Sequence, residues 1–195
     1  MLNGCPRAGF VKMKINLKFG MLNMNLEALT EFDETEIIVG FFNLMGYARW
    51  SEGKPPRDIL NLASALLNRA GRAIAGSDGV LVKAIGDAGL FVFPADNPER
   101  AVLALEEIKR DCDSWLSECG YPDIMSVTIQ VGSVAVGRVG PPEDERLDVY
   151  GATVNRAAMM QGRAFSVGET LYDRLQSKSK SRFTRFNDDE FILSD

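Results

Sequence analysis

Residues 80–93 read VLVKAIGDAGLFVF, two apolar runs on either side of Gly86-Asp87. Glycine followed by an acidic residue favours a tight turn, because glycine tolerates positive φ and aspartate bonds to nearby backbone. Runs of this kind joined by two turn residues are typical of a β-hairpin. We therefore predict strands over Val80–Lys83 and Gly89–Phe93, with the hairpin tip at Gly86-Asp87.

Helices and further strands are predicted on both sides of this hairpin. Apolar residues recur at helical spacing from about Arg57 to Ala75 and again from Pro98 onward. The other predicted elements are a buried strand over Ile37–Phe42, a strand over Met125–Val131, a loop rich in glycine, proline and acidic residues that ends near Leu147, a helix over Gly151–Gln161, a strand over Ala164–Val167, a helix over Gly168–Leu175 and an edge hairpin around residues 187–189. This order predicts an α+β fold with helices packed on one face of an antiparallel-rich sheet, an elaborated ferredoxin-like arrangement.

The bulk composition suits one globular domain. The chain has 195 residues, enough to bury one substantial core. We predict an N-terminal extension over residues 1–30 and a single domain over residues 31–195. The formal net charge of −5 argues against nucleic-acid binding, which needs a basic surface. Because no apolar stretch reaches the length of a spanning helix, we predict a cytoplasmic protein without a membrane span.

The absence of histidine limits the available chemistry. Ser-His-Asp catalysis, Cys-His catalysis and histidine zinc sites are all excluded. The three cysteines are too few for a disulfide framework. Any reaction must therefore depend on carboxylates, lysine, arginine, amides or hydroxyl groups.

Four segments carry the candidate chemistry. They are residues 41–47 (FFNLMGY), 83–87 (KAIGD), 132–140 (GSVAVGRVG) and 148–159 (DVYGATVNRAAM). In this order and at these intervals they resemble the catalytic domain of class III adenylate and guanylate cyclases. The family patterns that they match in part are F-A-D-I-x-G-F, K-x-x-G-D, a glycine-spaced strand and loop, and D-x-x-G-x-x-V-N-x-A. The resemblance extends over about residues 37–175.

The resemblance implies a dimeric, nucleotide-binding domain. In that family two protomers associate head to tail, and each active site is built from both chains. Two aspartates of one protomer hold two divalent cations, while a lysine and an aspartate of the other read the adenine edge. The implied ligand is a nucleoside triphosphate, with ATP favoured, and the implied cofactor is Mg²⁺ or Mn²⁺. The implied partner is a second copy in a head-to-tail homodimer, or another cyclase-type chain in a heterodimer.

Residue by residue, the resemblance places the second metal aspartate at Asp87 and the base-reading pair at Lys83 and Asp148. The nucleotide-binding residues that it implies are Phe42, Gly46, Lys83, Asp148 and Asn155, the last as the catalytic amide that orients the ribose. Taken singly, these residues also have ordinary structural roles. Asp87 suits a turn, Lys83 a solvated strand, and Asp148 the cap of the following helix.

Two positions depart from the family pattern. Asn43 stands where the first metal aspartate is expected, and its amide offers an oxygen without the charge that a cation favours. Met159 stands where the transition-state arginine is expected, and a thioether cannot pair with a phosphate oxygen. Arg156 and Arg163 lie nearby in the sequence, and Arg163 could share a face with Met159 if the helix continues. We therefore predict that any cation is weakly held and that catalysis is impaired.

Three functions remain open. The first is an impaired cyclase homology domain that binds ATP and serves as a regulatory or dimerisation module in cyclic-nucleotide-type signalling. The second is an active adenylate cyclase that converts ATP to cyclic AMP and pyrophosphate with an altered metal site. The third is an interaction domain that binds no ligand. Cyclic product in Mn²⁺ would indicate the second, and a stable dimer without any thermal shift by nucleotides would indicate the third.

Overall fold

A computed structural model describes residues 33–160 and 164–194. The predicted extension over residues 1–30 and Arg163 lie outside the described residues. The strands are β1 (Asp33–Leu44), β2 (Val80–Ile85), β3 (Ala88–Pro94), β4 (Met125–Val139), β5 (Arg146–Tyr150), β6 (Phe165–Gly168), β7 (Phe183–Arg185) and β8 (Glu190–Leu193). The helices are α1 (Tyr47–Ser51), α2 (Pro56–Gly76), α3 (Pro98–Glu118), α4 (Ala152–Met159), α5 (Glu169–Asp173) and α6 (Ser177–Lys180).

Within the described ranges, the strands form one sheet in the order β2-β3-β1-β4-β6-β8-β7, with β5 paired to β4. Strand β1 lies inside the sheet and is antiparallel to both β3 and β4. The β4–β6 pair is parallel, and the other pairs are antiparallel. The predicted α+β fold with an antiparallel-rich sheet is confirmed.

The two long helices, α2 and α3, pack on one face of this sheet. Their apolar stripes include Leu66 and Ile74 on α2 and Leu105 and Leu116 on α3, and all four side chains are buried. These residues join one cluster with alternate side chains of β1, β3 and β4. Burial of each such side chain contributes about 2 kcal/mol, so packing holds both helices in place. None of the helices within the described residues combines the length and apolarity needed to cross a bilayer.

Helix α4 packs on the opposite face, against β1 and β4. Thr128 Oγ1 donates to the Ala157 carbonyl (3.0 Å), and Thr153 Oγ1 donates to the Ser133 carbonyl (2.9 Å). Gly132 permits this close approach, because a β-carbon there would lie 2.6 Å from Thr153 Oγ1. The short helix is thereby fixed to the sheet by hydrogen bonds as well as by apolar contacts.

The predicted loop between Val131 and Leu147 is wrong in part. Strand β4 continues to Val139, turns, and pairs with β5 in an antiparallel hairpin. Val134 and Val136 alternate with more exposed residues and are buried on the α4 face. The glycines and charges of this segment hid its strand period, and tertiary packing decided the conformation.

Candidate functional site

The end of β1 and the tip of the β2–β3 hairpin form one side of the candidate site. Asp87 Oδ2 accepts a hydrogen bond from the Leu44 backbone N–H (3.1 Å), which fastens the hairpin tip to β1. An open groove of about 490 Å³ lies beside this contact, and its lining residues are Asn43, Leu44, Gly46, Tyr47, Ala48, Arg49 and Asp87. Both predicted metal positions, Asn43 and Asp87, therefore line the same groove.

The Asn43 amide already has a partner. Asn43 on β1 pairs with Ser126 on β4 in the sheet register, and Ser126 Oγ donates to Asn43 Oδ1. Ser126 is almost fully buried (1% exposed), whereas Asn43 is exposed. The amide oxygen would have to give up or share this hydrogen bond in order to bind a cation.

The groove supplies one carboxylate and one amide oxygen, and not the two carboxylates of a two-metal site. Asp87 is the single carboxylate among the lining residues, and Asn43 supplies a neutral oxygen. Mg²⁺ is commonly held by one or two carboxylates together with substrate phosphates and water. In the described part of the chain, no group of three histidine, cysteine, aspartate or glutamate side chains could hold a metal. A cation would therefore depend on Asp87 and on oxygens that the substrate brings.

The turn at Gly46, which lines the groove, is held by a hydrogen bond from Tyr121. Gly46 has a φ of 68°, the left-handed region that favours glycine, and it precedes α1. Tyr121 Oη donates to the Met45 carbonyl (2.6 Å) in the same turn. Burial, with the nearby carboxylates of Asp123 and Asp87, raises the pKa of Tyr121 to about 12. Sequence reasoning missed Tyr121, since no local pattern relates it to residues 41–47.

The second group lies where β2 approaches β5. Lys83 Nζ forms an ion pair with Asp148 Oδ2 at 2.5 Å, and the side chains are 41% and 8% exposed. Asp148 Oδ1 accepts from the Val149 backbone N–H (2.8 Å), and Lys83 also lies over the Tyr150 ring (5.8 Å to the centroid). Asp148 belongs to β5 and does not cap α4, whose N-cap residue is Gly151. The predicted base-reading pair is thus held together within one chain.

Helix α4 presents the remaining candidates at the surface. Asn155 is exposed, and Met159 is 73% exposed. The helix ends at Met159, followed by Met160 in an extended conformation. Arg156, the nearby arginine among the described residues, is exposed on the same helix. The ribose-orienting role of Asn155 and the lost role at Met159 stay predictions.

The Phe42 side chain points into the core rather than toward a ligand. It is 1% exposed and stacks on Phe91, with the ring centroids 6.3 Å apart. A contribution of Phe42 to nucleotide binding could therefore come only from its backbone. By contrast, Gly46, the other predicted residue of this segment, lines the groove directly.

The two groups of candidate residues do not meet within one chain. Lys83 and Asp87 lie four residues apart on the same hairpin, a separation on the order of 10 Å along the strand direction. No hydrogen bond or ion pair between described residues joins the groove group, Asn43 and Asp87, to Lys83 or Asp148. A ligand that contacts both groups within one chain has to span this separation.

Comparisons with known proteins identify a family and a fold. The family model described as "Adenylate and Guanylate cyclase catalytic domain" matches residues 30–191. Adenylate cyclase 1 of Rhizobium meliloti (strain 1021) is 25% identical over 145 residues, which cover 70% of this chain and 22% of that protein. The match therefore spans about a fifth of the length of that curated relative.

Solved structures agree with the predicted fold. A bacterial light-regulated adenylyl cyclase has a TM-score of 0.74 at 16% identity, over 85% of this chain and 53% of that one. The guanylate cyclase domain of RhGC from Catenaria anguillulae, solved in complex with GTP, has a TM-score of 0.71 at 18% identity, over 83% of this chain and 98% of that one. At these identities the likeness concerns the fold alone.

Proposed function

The chain belongs to the adenylate and guanylate cyclase catalytic domain family, and from this premise we propose that it binds a nucleoside triphosphate, ATP in preference to GTP, with little turnover. In this proposal the domain acts as a regulatory or dimerisation module in cyclic-nucleotide-type signalling. The observation that carries the proposal is a contrast within the site. Both residues of the base-reading pair, Lys83 and Asp148, are present and form an ion pair. Of the residues expected to act on the phosphates and their cations, in contrast, one is an amide, Asn43, and one is a thioether, Met159.

The base-reading side supports ATP. A lysine ammonium donates hydrogen bonds and an aspartate carboxylate accepts them, which matches the acceptor N1 and donor N6 of adenine. Asp148 is buried and fixed by the Val149 N–H, so its free lone pairs have a defined direction. Guanine presents a carbonyl oxygen and an N–H at the corresponding edge and would meet the wrong partner at each position. This complementarity favours adenine.

The phosphate side supports binding without efficient turnover. Asp87 and the Asn43 oxygen would hold one divalent cation, which when bound would neutralise part of the phosphate charge. Charge that develops during phosphoryl transfer also needs a donor near the leaving phosphates, and Met159 offers none. Loss of an arginine in such a role costs about a thousandfold or more in rate. Asn155 remains available to orient the ribose.

A head-to-tail dimer would bring the two groups together. Two exposed apolar side chains lie two residues from the pair along their strands, Ile85 (50%) on β2 and Tyr150 (55%) on β5, and Met159 (73%) is exposed on α4. Large apolar side chains that are exposed in proximity mark interaction surfaces more often than scattered ones do. A partner chain on this surface would place its own groove residues opposite Lys83 and Asp148.

We expect Asp148→Asn to reduce the preference for ATP over GTP, expressed as the ratio of their dissociation constants, by about tenfold. The amide keeps the shape of the side chain but removes a charged acceptor, and hydrogen bonds to charged groups contribute about 1.5–3 kcal/mol. Isothermal titration with each nucleotide measures the ratio of dissociation constants. Asp144→Asn is the matched control, since Asp144 is an exposed loop residue paired with Arg146. An unchanged ratio in Asp148→Asn, or a wild-type chain that binds neither nucleotide, would contradict the proposal.

We expect Ile85→Asp to raise the dimer dissociation constant at least tenfold. A carboxylate at the centre of an apolar contact would be desolvated without a partner. Sedimentation velocity over a concentration series measures the change. Leu60→Asp is the control, because Leu60 is comparably exposed (65%) but lies on α2, on the other face of the sheet. Equal effects of the two substitutions would show that this surface is not part of the dimer interface.

A further inference from the structure

Arg49 lines the groove that contains Asn43 and Asp87. It is an exposed residue of α1, and it forms no ion pair with any residue of the described ranges. A β-carbon added at Gly46 would lie 3.4 Å from Arg49 Nη2, so the guanidinium lies against the Gly46 turn. The groove therefore contains one cationic side chain whose donors remain open to a ligand.

The charge of this groove differs from that of a two-aspartate site. Two carboxylates would carry two negative charges and would repel a triphosphate until cations neutralised them. Here the lining residues carry one carboxylate, Asp87, and one guanidinium, Arg49. Among the lining residues these formal charges cancel, with the Asp123 carboxylate next to the groove as a further negative charge. The guanidinium presents five N–H donors in a planar fork that suits phosphate oxygens. Asparagine at position 43, in place of an aspartate, thus weakens cation binding and also reduces the repulsion that a triphosphate would meet in the groove.

The neighbouring charges leave Arg49 available to a stronger anion. Asp123 Oδ2 would lie 3.1 Å from the same added β-carbon at Gly46, so its carboxylate lies beside the guanidinium without forming an ion pair. The charges of Arg49, Asp123 and Asp87 all act on Tyr121, with Arg49 opposing the two carboxylates. A triphosphate carries several negative charges and can therefore compete with single carboxylates for Arg49.

We infer that Arg49 binds the phosphates of the nucleotide directly and lets this groove hold a triphosphate without a divalent cation. The inference rests on the proposed function, since it names the phosphate-binding residue of the same site. Arg49 supplies, without a metal, part of the charge neutralisation that divalent cations would otherwise provide, and it lies at the end of the groove that contains Asn43 and Asp87. It does not restore the donor that is missing at Met159. Binding without turnover follows from this arrangement.

The test compares binding of ATP and of inorganic triphosphate in EDTA and in Mg²⁺ by isothermal titration. We expect wild-type protein to bind both ligands in EDTA. Arg49→Ala should raise the dissociation constants of both ligands in EDTA by about tenfold to a hundredfold, the range for charge-assisted hydrogen bonds. Arg49→Lys should lose only about threefold, because it keeps the charge without the fork. Arg72→Ala, which removes an exposed arginine from α2, is the charge-matched control and should bind like wild type.

The outcomes separate this inference from the proposed function. Wild-type binding of ATP that requires Mg²⁺ would overturn the role of Arg49 and leave nucleotide binding intact. The same holds if Arg49→Ala binds as tightly in EDTA as Arg72→Ala. If wild-type protein binds neither ligand in either buffer, the proposed function fails and the inference fails with it. Thermal unfolding of each variant shows whether it is folded, and the exposure of Arg49 leads us to expect that it is.

Discussion

We expect the Asn43→Asp, Met159→Arg double variant to form cyclic AMP at least about a thousandfold faster than the parent chain, whose own product should lie near the detection limit. The first substitution supplies a second carboxylate to the groove that already contains Asp87. Two carboxylates can hold the two divalent cations that activate the nucleophile and neutralise the transferred phosphate. The second substitution supplies a phosphate donor on α4, where a 73% exposed position leaves room for a long side chain.

The two single variants, and a triple variant that also lacks Asp87, test this prediction further. Each single substitution should restore much less than the pair, since residues of one catalytic unit do not contribute additively. Adding Asp87→Ala to the double variant should abolish the product again. The assay follows cyclic product from ATP and from GTP, in Mg²⁺ and separately in Mn²⁺. Rapid turnover by the parent chain would contradict the proposal of impaired catalysis and support the active-cyclase alternative.

We expect Gly40→Ala to destabilise the fold by about 3 kcal/mol, at the upper end of the range for overpacking a core. Gly40 lies in the middle of β1, and a β-carbon there would lie 2.5 Å from Phe91 Cζ and 2.6 Å from Ile129 Cγ2. It would also press against the Thr128 carbonyl of the neighbouring strand. Backbone cannot yield as a flexible side chain does, so β1 and β4 would have to separate locally. Chemical denaturation of parent and variant measures the loss.

Gly76→Ala is the matched control for Gly40→Ala. Gly76 is the last residue of α2, and a β-carbon there would meet no atom within 4 Å. The same methyl group should therefore leave stability unchanged or raise it by about 0.5 kcal/mol, because alanine loses less backbone entropy in a helix. Destabilisation of similar size in both variants would show that crowding inside β1 is not the cause.

The sequence alone determined the parts of this protein that local patterns encode. Short apolar runs and turn residues predicted the β2–β3 hairpin and the centre of β1, which extends from Asp33 to Leu44 beyond the predicted Ile37–Phe42, and period-3.6 apolar spacing predicted α2 and the start of α3. The glycine-spaced motifs were enough to identify the family, because their residue types and intervals depend on neither packing nor partner. The departures at Asn43 and Met159 were likewise visible without a structure.

Only the tertiary structure decided which of these residues meet. The Leu44–Asp87, Lys83–Asp148 and Asn43–Ser126 hydrogen bonds join residues 43, 65 and 83 positions apart, and no local pattern carries contacts of that range. The β4–β5 hairpin forms although its sequence is rich in glycine and has a weak strand propensity, because burial of Val134 and Val136 outweighs that local preference. Arg49 has no motif of its own, and it enters the site only because β1 turns at Gly46 and directs α1 along the groove.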